Sequence, residues 1–228
     1  MEQLICNMVK RVKVLSDEDL NTFKRSIQNA IELITGRALA NLEDYHQSHS
    51  DFHGVLAPKS ARIFRDSVVQ ELSKLSSMKA LAEKFPDHKI ANVIDENGTQ
   101  ERPEIYFRLS RPGIGSDVGC PHMDAWFHRA SALQHAEGST HKAWIAICVE
   151  SGLNGLMFFP HADIANLEYS LFNARVYCDS DQAALGSAHL PTIESGEAFI
   201  FRDDVLHAGA VNGGSKTRVS VEVTFVPK

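Results

Sequence analysis

A histidine and an aspartate two residues apart are the first pair in this sequence that could do chemistry. They are His122 and Asp124, in the stretch GCPHMDAWFH at residues 119–128. If HMDAWFH is a β-strand, both side chains point to the same side, because side chains alternate along a strand. A histidine from elsewhere would complete the two-histidine, one-carboxylate set that holds Fe(II) and leaves coordination positions open.

His207, in the stretch FRDDVLHAGAVNGG, is the best candidate for that third ligand. It follows the predicted strand EAFIFR, and the chain between Asp124 and His207 is long enough for several strands to bring them together. A second His-x-Asp match, His161 and Asp163, directly follows Pro160, which suits a turn better than a strand interior. The first match is therefore preferred.

The stretch RVSVEVTFV alternates between polar and apolar residues. Its apolar set is Val219, Val221, Val223 and Phe225, and its polar set is Arg218, Ser220, Glu222 and Thr224. Such alternation predicts a strand with one face packed against covering helices, which turns Arg218 toward the interior of a barrel. An inward arginine requires an anion there, because burial of an unpaired charge is costly.

The elements that must position these residues divide the chain in two. Residues 1–90 read mainly as helices: Ser16 fits a helix N-cap before acidic residues and apolar residues at helical spacing, and a second helical pattern runs from about 60 to 84. From about residue 100, short β-rich runs alternate with Gly, Pro, Asn and Asp clusters. The predicted strands are EIYFRLSR, HMDAWFH, KAWIAICVE, LMFFP, ARVYC, EAFIFR and TRVSVEVTFV. Short strands without intervening helices favour a barrel or jelly roll over a parallel sheet.

Composition limits the classes of function. With 228 residues and 43% hydrophobic content, the chain can bury a core, and a formal net charge of −6 argues against nucleic acid as a partner. The cysteines Cys6, Cys120, Cys148 and Cys178 form no CxxC motif, so free thiols in a reducing cytoplasm are expected. No secretory leader or long apolar run is recognised, so membrane insertion is not expected either. A small molecule is the default partner.

Three blocks of the sequence, taken in order, resemble the phytanoyl-CoA dioxygenase-like branch of the iron(II)- and 2-oxoglutarate-dependent oxygenases. They are YFRLSRPG through HMDAWF, AWIAICVESGLNGLMFFPHA, and GEAFIFRDDVLHAGAVNGGSKTRVSVEVTF, and they cover about residues 103–226. The resemblance implies a mainly β fold: a double-stranded β-helix (jelly-roll, cupin-like) core with an α-helical N-terminal region packed on it. Residues 1–228 would then form a single oxygenase domain, with helices in 1–90 and the core in 103–226.

The resemblance also implies roles for individual residues. His122, Asp124 and His207 would bind the iron, and no catalytic residue is implied beyond these metal ligands. Arg218 would bind the distal carboxylate of 2-oxoglutarate. The other residues expected near this co-substrate are Ser220, Trp144 and, in the strand before the triad, Arg108.

Two further residues are candidates for a substrate pocket, Trp126 and His128. His128 shares the face of the predicted strand that carries the metal ligands, although a strand-end histidine and a buried core tryptophan are the plainer interpretations. The sequence departs from the family at residues 160–163, where relatives commonly read Pro-Gly-Ser-His, and at Ala208, where glycine is usual. These departures bear on the substrate rather than on the iron.

The implied activity is an oxidation that uses Fe(II), 2-oxoglutarate and O2 and releases succinate and CO2. Hydroxylation of a small metabolic or biosynthetic molecule is the expected outcome, with desaturation or cyclisation as variants. Two alternatives stay open. A cupin-like metalloenzyme of another reaction type would use the same ligands but would not need Arg218, and a non-catalytic jelly roll would bind a small molecule without turning it over. Substrate, pathway and oligomeric state are not encoded in any recognisable motif.

Overall fold

The computed structural model of the chain describes residues 8–95, 98–130, 138–172, 175–178 and 182–228. The strands are β1 (Val9–Lys13), β2 (His88–Ile90), β3 (Asn92–Asp95), β4 (Gly98–Pro103), β5 (Ile105–Ser110), β6 (His141–Cys148), β7 (Leu156–Phe158), β8 (Tyr169–Phe172), β9 (Arg175–Cys178), β10 (Glu197–Arg202), β11 (His207–Gly209) and β12 (Arg218–Pro227). The α-helices are α1 (Asp17–Thr35), α2 (Tyr45–Ser48), α3 (His53–Leu56), α4 (Lys59–Arg62), α5 (Asp66–Lys74), α6 (Ser76–Glu83), α7 (Asp124–Ala130) and α8 (Gln182–Leu185).

The main sheet is antiparallel and runs in the order β1, β10, β6, β12, β2, with β5 also paired to β12. β12 is central, because it pairs with β6 along one edge and with β5 and β2 along the other. A smaller antiparallel pair is formed by β7 and β11. The predicted antiparallel, sheet-rich architecture is therefore confirmed at this level.

The two faces of the main sheet bury different partners. On one face, Val219, Val221 and Val223 of β12 join one apolar cluster with Phe23 and Ile27 of α1. On the other face, residues of β6 and β10 pack with Leu156 and Phe158 of β7. The helices therefore cover one side of the sheet and the β7–β11 pair covers the other, which leaves the inner face of β12 directed toward β7 and β11.

Helix α1 follows the prediction closely. The hydroxyl of its N-cap, Ser16, accepts a hydrogen bond from the Asp19 backbone N–H at 3.1 Å, and three acidic residues lie in the first turn. Gly36 ends the helix with φ 66°, a conformation that glycine adopts without steric cost. The buried positions include Phe23, Ile27 and Ile31, so the predicted apolar face is the one that packs on the sheet.

Three details of the sequence prediction were wrong. An additional strand, β1, lies in the N-terminal region and pairs with β10. The helical pattern at 60–84 is broken into α4, α5 and α6, with an isolated bridge between Ile63 and Tyr106. The stretch HMDAWFH is not a strand: His122 forms an isolated β-bridge, and helix α7 begins at Asp124.

Other expectations have simpler outcomes. Cys120, Cys148 and Cys178 form no disulfide bond within the described part of the chain, whereas Cys6 lies outside the described residues. In the described part of the chain, the helices are too short or too polar to cross a membrane.

Candidate metal centre

The structure brings together the three residues that the sequence singled out as metal ligands. One ligand atom each from His122, Asp124 and His207 lies within 4.8 Å of the others. The two histidines are held by a two-way backbone bridge, His122 N to His207 O at 2.9 Å and His207 N to His122 O at 3.0 Å. Asp124 is the first residue of α7 and not part of a strand. The two ligands His122 and Asp124 therefore come together where the chain passes from a β-bridge into a helix, and not, as predicted, through the side-chain alternation of one strand.

Both imidazoles are fixed in the tautomer that suits a metal ligand. His122 Nδ1 lies 2.8 Å from the carbonyl oxygen of Cys120, and His207 Nδ1 lies 2.9 Å from that of Val205. A carbonyl oxygen can only accept, so each Nδ1 carries the proton and donates it. The Nε2 lone pairs are then available to a metal, with the backbone fixing the orientation of each ring.

Burial keeps these histidines neutral. It lowers the pKa of His122 to about 4, with the neighbouring His207 acting in the same direction and Asp124 opposing it. Burial also lowers the pKa of His207. At neutral pH the centre therefore presents two neutral imidazoles and one carboxylate, the donor set typical of non-haem iron(II) sites.

A charged network extends from Asp124 along the inner face of the sheet. Lys142 Nζ lies 3.4 Å from Asp124 Oδ2 and 3.6 Å from Glu222 Oε2. Glu222 also accepts a hydrogen bond from the Tyr106 hydroxyl and pairs with Arg108 Nε at 3.1 Å. Burial alone would raise the pKa of Glu222, but Arg108 and Lys142 outweigh it and lower the pKa to about 2.

Arg218 lies on the same interior face and is 2% exposed. Its Nη1 donates to the Gly155 carbonyl at 2.6 Å, and its guanidinium carbon lies 5.8 Å from the centroid of the Trp144 ring. Burial lowers the pKa of Arg218 to about 10, so it stays a cation at neutral pH. None of the described carboxylates forms an ion pair with it.

Several buried polar atoms around Arg218 have no hydrogen-bond partner in the described part of the chain. They are Arg218 Nε, Trp144 Nε1, Ser220 Oγ and Ser110 Oγ. Buried polar groups in proteins are normally satisfied, so unpartnered donors clustered beside a buried cation point to a missing anionic ligand. Arg218, Ser220 and Trp144 therefore offer buried donors to an anionic group.

The remaining predicted site residues have different surroundings. Arg108 faces the interior with its side chain 30% exposed, and one edge of its guanidinium is committed to Glu222. Trp126 is buried on α7 and stacks on Tyr169 with ring centroids 4.0 Å apart, so packing accounts for its position. The side chain of His128 lies outside the described part of the chain. The pocket roles of Trp126 and His128 stay predictions.

The competing His-x-Asp match lies elsewhere. His161 and Asp163 are both exposed, and Asp163 Oδ2 accepts a hydrogen bond from Asn166 Nδ2 at 2.7 Å in a short turn. Neither residue belongs to the metal-ligand cluster. The turn inferred from Pro160 explains why this match does not contribute.

Sequence reasoning did not assign a role to Lys142, Glu222 or Tyr106. A signal was present, because Lys142 alternates with Trp144 along the predicted strand KAWIAICVE, and Glu222 shares the polar face of Arg218. Charged residues on the inner face of a buried strand are unusual and require partners. Identifying those partners needed the register of β5, β6 and β12.

The comparisons with known proteins are informative at the level of structure. No protein-family model matches the chain, and no curated protein matches it by sequence. EvdO2 from Micromonospora carbonacea var. aurantiaca, solved in complex with 2-oxoglutarate, is 11% identical with a TM-score of 0.60, covering 99% of this chain and 89% of that one. The non-heme monooxygenase ThoJ, solved with nickel, is 11% identical with a TM-score of 0.57, covering 99% and 76%.

SnoK, a non-heme alpha ketoglutarate dependent carbocyclase from nogalamycin biosynthesis, is also similar. It is 12% identical with a TM-score of 0.52, covering 99% of this chain and 82% of that one. These likenesses establish that the chain shares the fold of non-haem, 2-oxoglutarate-dependent enzymes. The resemblance inferred from the sequence blocks is thereby supported by structure.

Proposed function

We propose that this chain is a non-haem iron(II)- and 2-oxoglutarate-dependent dioxygenase that hydroxylates, or otherwise oxidises, a small molecule. The observation that carries the proposal is that Arg218 is buried and has no acidic partner among the described residues. It lies on the same interior face of the sheet as the network that leads to His122, Asp124 and His207. His122, Asp124 and His207 would hold the iron, and Arg218 would pair with the distal carboxylate of 2-oxoglutarate. When bound, iron and 2-oxoglutarate would together activate O2: oxidative decarboxylation of 2-oxoglutarate would take one oxygen atom and release succinate and CO2, and the other oxygen atom would oxidise the substrate.

The chain's own contribution is geometric and electrostatic. The backbone carbonyls of Cys120 and Val205 orient the two imidazoles. The fork of Arg218 can bind a carboxylate through two parallel hydrogen bonds, with the neighbouring Ser220 hydroxyl and Trp144 N–H as further donors. Met123 and Leu206, the chain neighbours of the ligands, belong to an apolar cluster with Phe159 that would limit water at one side of the centre.

The fold proposed for this function is a double-stranded β-helix, or jelly roll. The main antiparallel sheet facing the β7–β11 pair supports it, with the metal-ligand group between them at His122 and His207. We further propose that residues 1–228 form one oxygenase domain, with the helices of 1–90 packed on a core at 103–226. The joint apolar cluster of α1 and β12 supports a single unit.

The nature of the substrate follows only in outline. SnoK acts in a biosynthetic pathway as a carbocyclase, so this fold supports oxidations other than hydroxylation. We propose a small metabolic or biosynthetic molecule as the substrate, which agrees with the absence of a long Lys/Arg run in the sequence. We also propose that the chain acts in the cytoplasm, as the cysteine pattern suggests.

The test is anaerobic addition of Fe(II) and 2-oxoglutarate to the purified chain. We expect the weak visible absorption band that iron(II) gives when a 2-oxo acid chelates it, and bleaching of that band in air with formation of succinate. Iron binding without either the band or succinate would favour the cupin-like metalloenzyme. A band without succinate, even with candidate substrates, would favour the non-catalytic binding module.

A further inference from the structure

We propose that Lys142 is a positioning residue for Asp124, a role that rests on the metal site proposed above. Lys142 lies on β6 with its side chain 9% exposed, and its ammonium nitrogen is 3.4 Å from Asp124 Oδ2. Asp124 is the first residue of a helix and follows a loop, so its backbone alone does not fix the rotation of the carboxylate. A rigidly held ammonium group can fix that rotation so that the carboxylate faces His122 and His207.

Lys142 is itself held by further contacts. Glu222 Oε2 lies 3.6 Å from its ammonium nitrogen, and the Tyr106 ring centroid lies 5.9 Å away. Glu222 is fixed in turn by the Tyr106 hydroxyl and Arg108 Nε. These partners come from β5 and β12, so the position of Lys142 is set by three adjacent strands of the main sheet.

Charge alone does not explain a lysine at this place. A cation beside a metal site repels the metal, and removing it should then strengthen metal binding. Glu222 lies between Lys142 and Arg108 and offsets only part of their positive charge, so Lys142 still repels a metal to some extent. The two explanations predict opposite changes in metal affinity. If Lys142 positions Asp124, its loss weakens metal binding; if Lys142 only repels the metal, its loss strengthens metal binding.

The first experiment titrates the purified apo chain with Co(II), without 2-oxoglutarate, in the wild type and in Lys142→Met. Co(II) suits the same ligands as Fe(II) and is stable in air. We expect Lys142→Met to bind Co(II) about 10- to 100-fold more weakly, the usual cost of losing an outer partner of a metal ligand. Equal or tighter binding would overturn the proposal.

A double-mutant cycle separates positioning from general damage to the site. If Lys142 acts through Asp124, Lys142→Met should change Co(II) affinity only slightly in an Asp124→Ala background. A full, additive loss there would mean that the lysine supports the site by another route and would contradict the proposal. The apo melting temperature of each variant is measured alongside, because a merely structural role would lower it without this dependence on Asp124.

Two more variants complete the design. Lys142→Gln keeps a hydrogen-bond donor and should bind Co(II) with an affinity between those of Lys142→Met and the wild type, and it stands in if the methionine variant does not fold. Lys59→Met is the matched control, because Lys59 lies 4.6 Å from the same Tyr106 ring but pairs with Glu104. It should keep wild-type affinity. Absence of Co(II) binding in the wild type would instead refute the metal site itself.

Discussion

At the scale of single residues, Asp124 supplies the negative charge of the proposed iron site. Asp124→Ala should abolish succinate formation and weaken metal binding strongly, because two neutral imidazoles remain as ligands. Asp163→Ala should leave both near wild type, since Asp163 is exposed and bonded to Asn166 in a turn. Metal titration and a succinate assay on both variants check this. An inactive Asp163→Ala with an active Asp124→Ala would reverse the assignment.

Arg218 should matter for the co-substrate and not for the metal. Losing one partner of a buried charge pair costs roughly 2–5 kcal/mol, or about 30-fold to several-thousand-fold in affinity. Arg218→Ala should therefore raise the apparent KM for 2-oxoglutarate within that range while keeping metal affinity. Arg218→Lys should be milder, because it keeps the charge but loses the planar fork.

The measurement is the apparent KM for 2-oxoglutarate in the succinate assay, with Co(II) affinity titrated separately. An unchanged KM in Arg218→Ala would make this arginine a structural charge, anchored by the Gly155 and Ala210 carbonyls and the Trp144 ring. The assignment of 2-oxoglutarate would then lose its main support, although the metal centre would stand.

At the scale of elements, sequence patterns succeeded where one period dominated. The strict alternation of β12 predicted both its apolar, helix-facing side and the inward direction of Arg218. For HMDAWFH the window was too short to separate a period of 2 from one of 3.6, and its four buried residues, Met123 to Trp126, are consecutive and follow neither period. A strand was therefore predicted where α7 begins, although the same two ligands were identified.

The breaks in the helix within residues 60–84 arise from tertiary contacts, and no residue type in this stretch predicts them. Phe64 N donates to the Ile105 carbonyl at 3.0 Å, which draws the chain out of the helix toward β5. Leu75 is extended, with φ −60° and ψ 141°, and the following Ser77 N–H donates to Asp19 Oδ2 at 3.1 Å. Neither break is marked by glycine or proline, so composition alone predicted one continuous helix.

The Asp19 contact joins α1 to α6 and gives a pH-dependent stability. Burial alone would raise the pKa of Asp19, but hydrogen bonds from Ser77, Ser76 and Ser16 outweigh it and lower the pKa below its usual value. A carboxyl whose folded pKa is lowered stabilises the fold above its unfolded pKa of about 3.9, and this contribution is lost as pH falls through the folded pKa.

Asp19→Asn should therefore cost about 1.5–3 kcal/mol of unfolding free energy at pH 7, the usual value for hydrogen bonds to a charged group. The difference from the wild type should shrink below about pH 4, where the Asp19 carboxyl of the unfolded chain begins to be protonated, and should vanish once pH falls below the lowered pKa of the folded state. Urea unfolding at pH 7 and at pH 3 measures it. An equal difference at both pH values would show that the charge of Asp19 contributes nothing. Co(II) affinity at pH 7 should not change, because Asp19 lies on the helix-covered side of the sheet.

At the scale of the whole molecule, the apolar clusters on the two faces of the main sheet do not include the metal ligands. The chain should therefore fold without metal, unlike small zinc domains whose folding depends on it. This separation is also why the fold could be anticipated from strand and helix patterns, whereas the Lys142–Glu222 network needed coordinates. The apolar faces of individual strands determine the core. The contacts between buried polar side chains depend instead on which strands lie next to each other in the sheet.

Metal binding should then add to the stability of an already folded chain. A ligand at 100 times its Kd adds about 2.7 kcal/mol, and each kcal/mol raises Tm by about 2–4 °C for a chain of this size, so saturating Co(II) should raise Tm by about 5–11 °C. Asp124→Ala should lose this shift, whereas Arg218→Ala should keep it and lose only the further rise caused by 2-oxoglutarate. Thermal unfolding followed by circular dichroism, with and without each ligand, measures all three effects. A chelator-treated wild type without a cooperative transition would contradict the premise, because the metal would then be part of the core and the tested variants would report on folding rather than on binding.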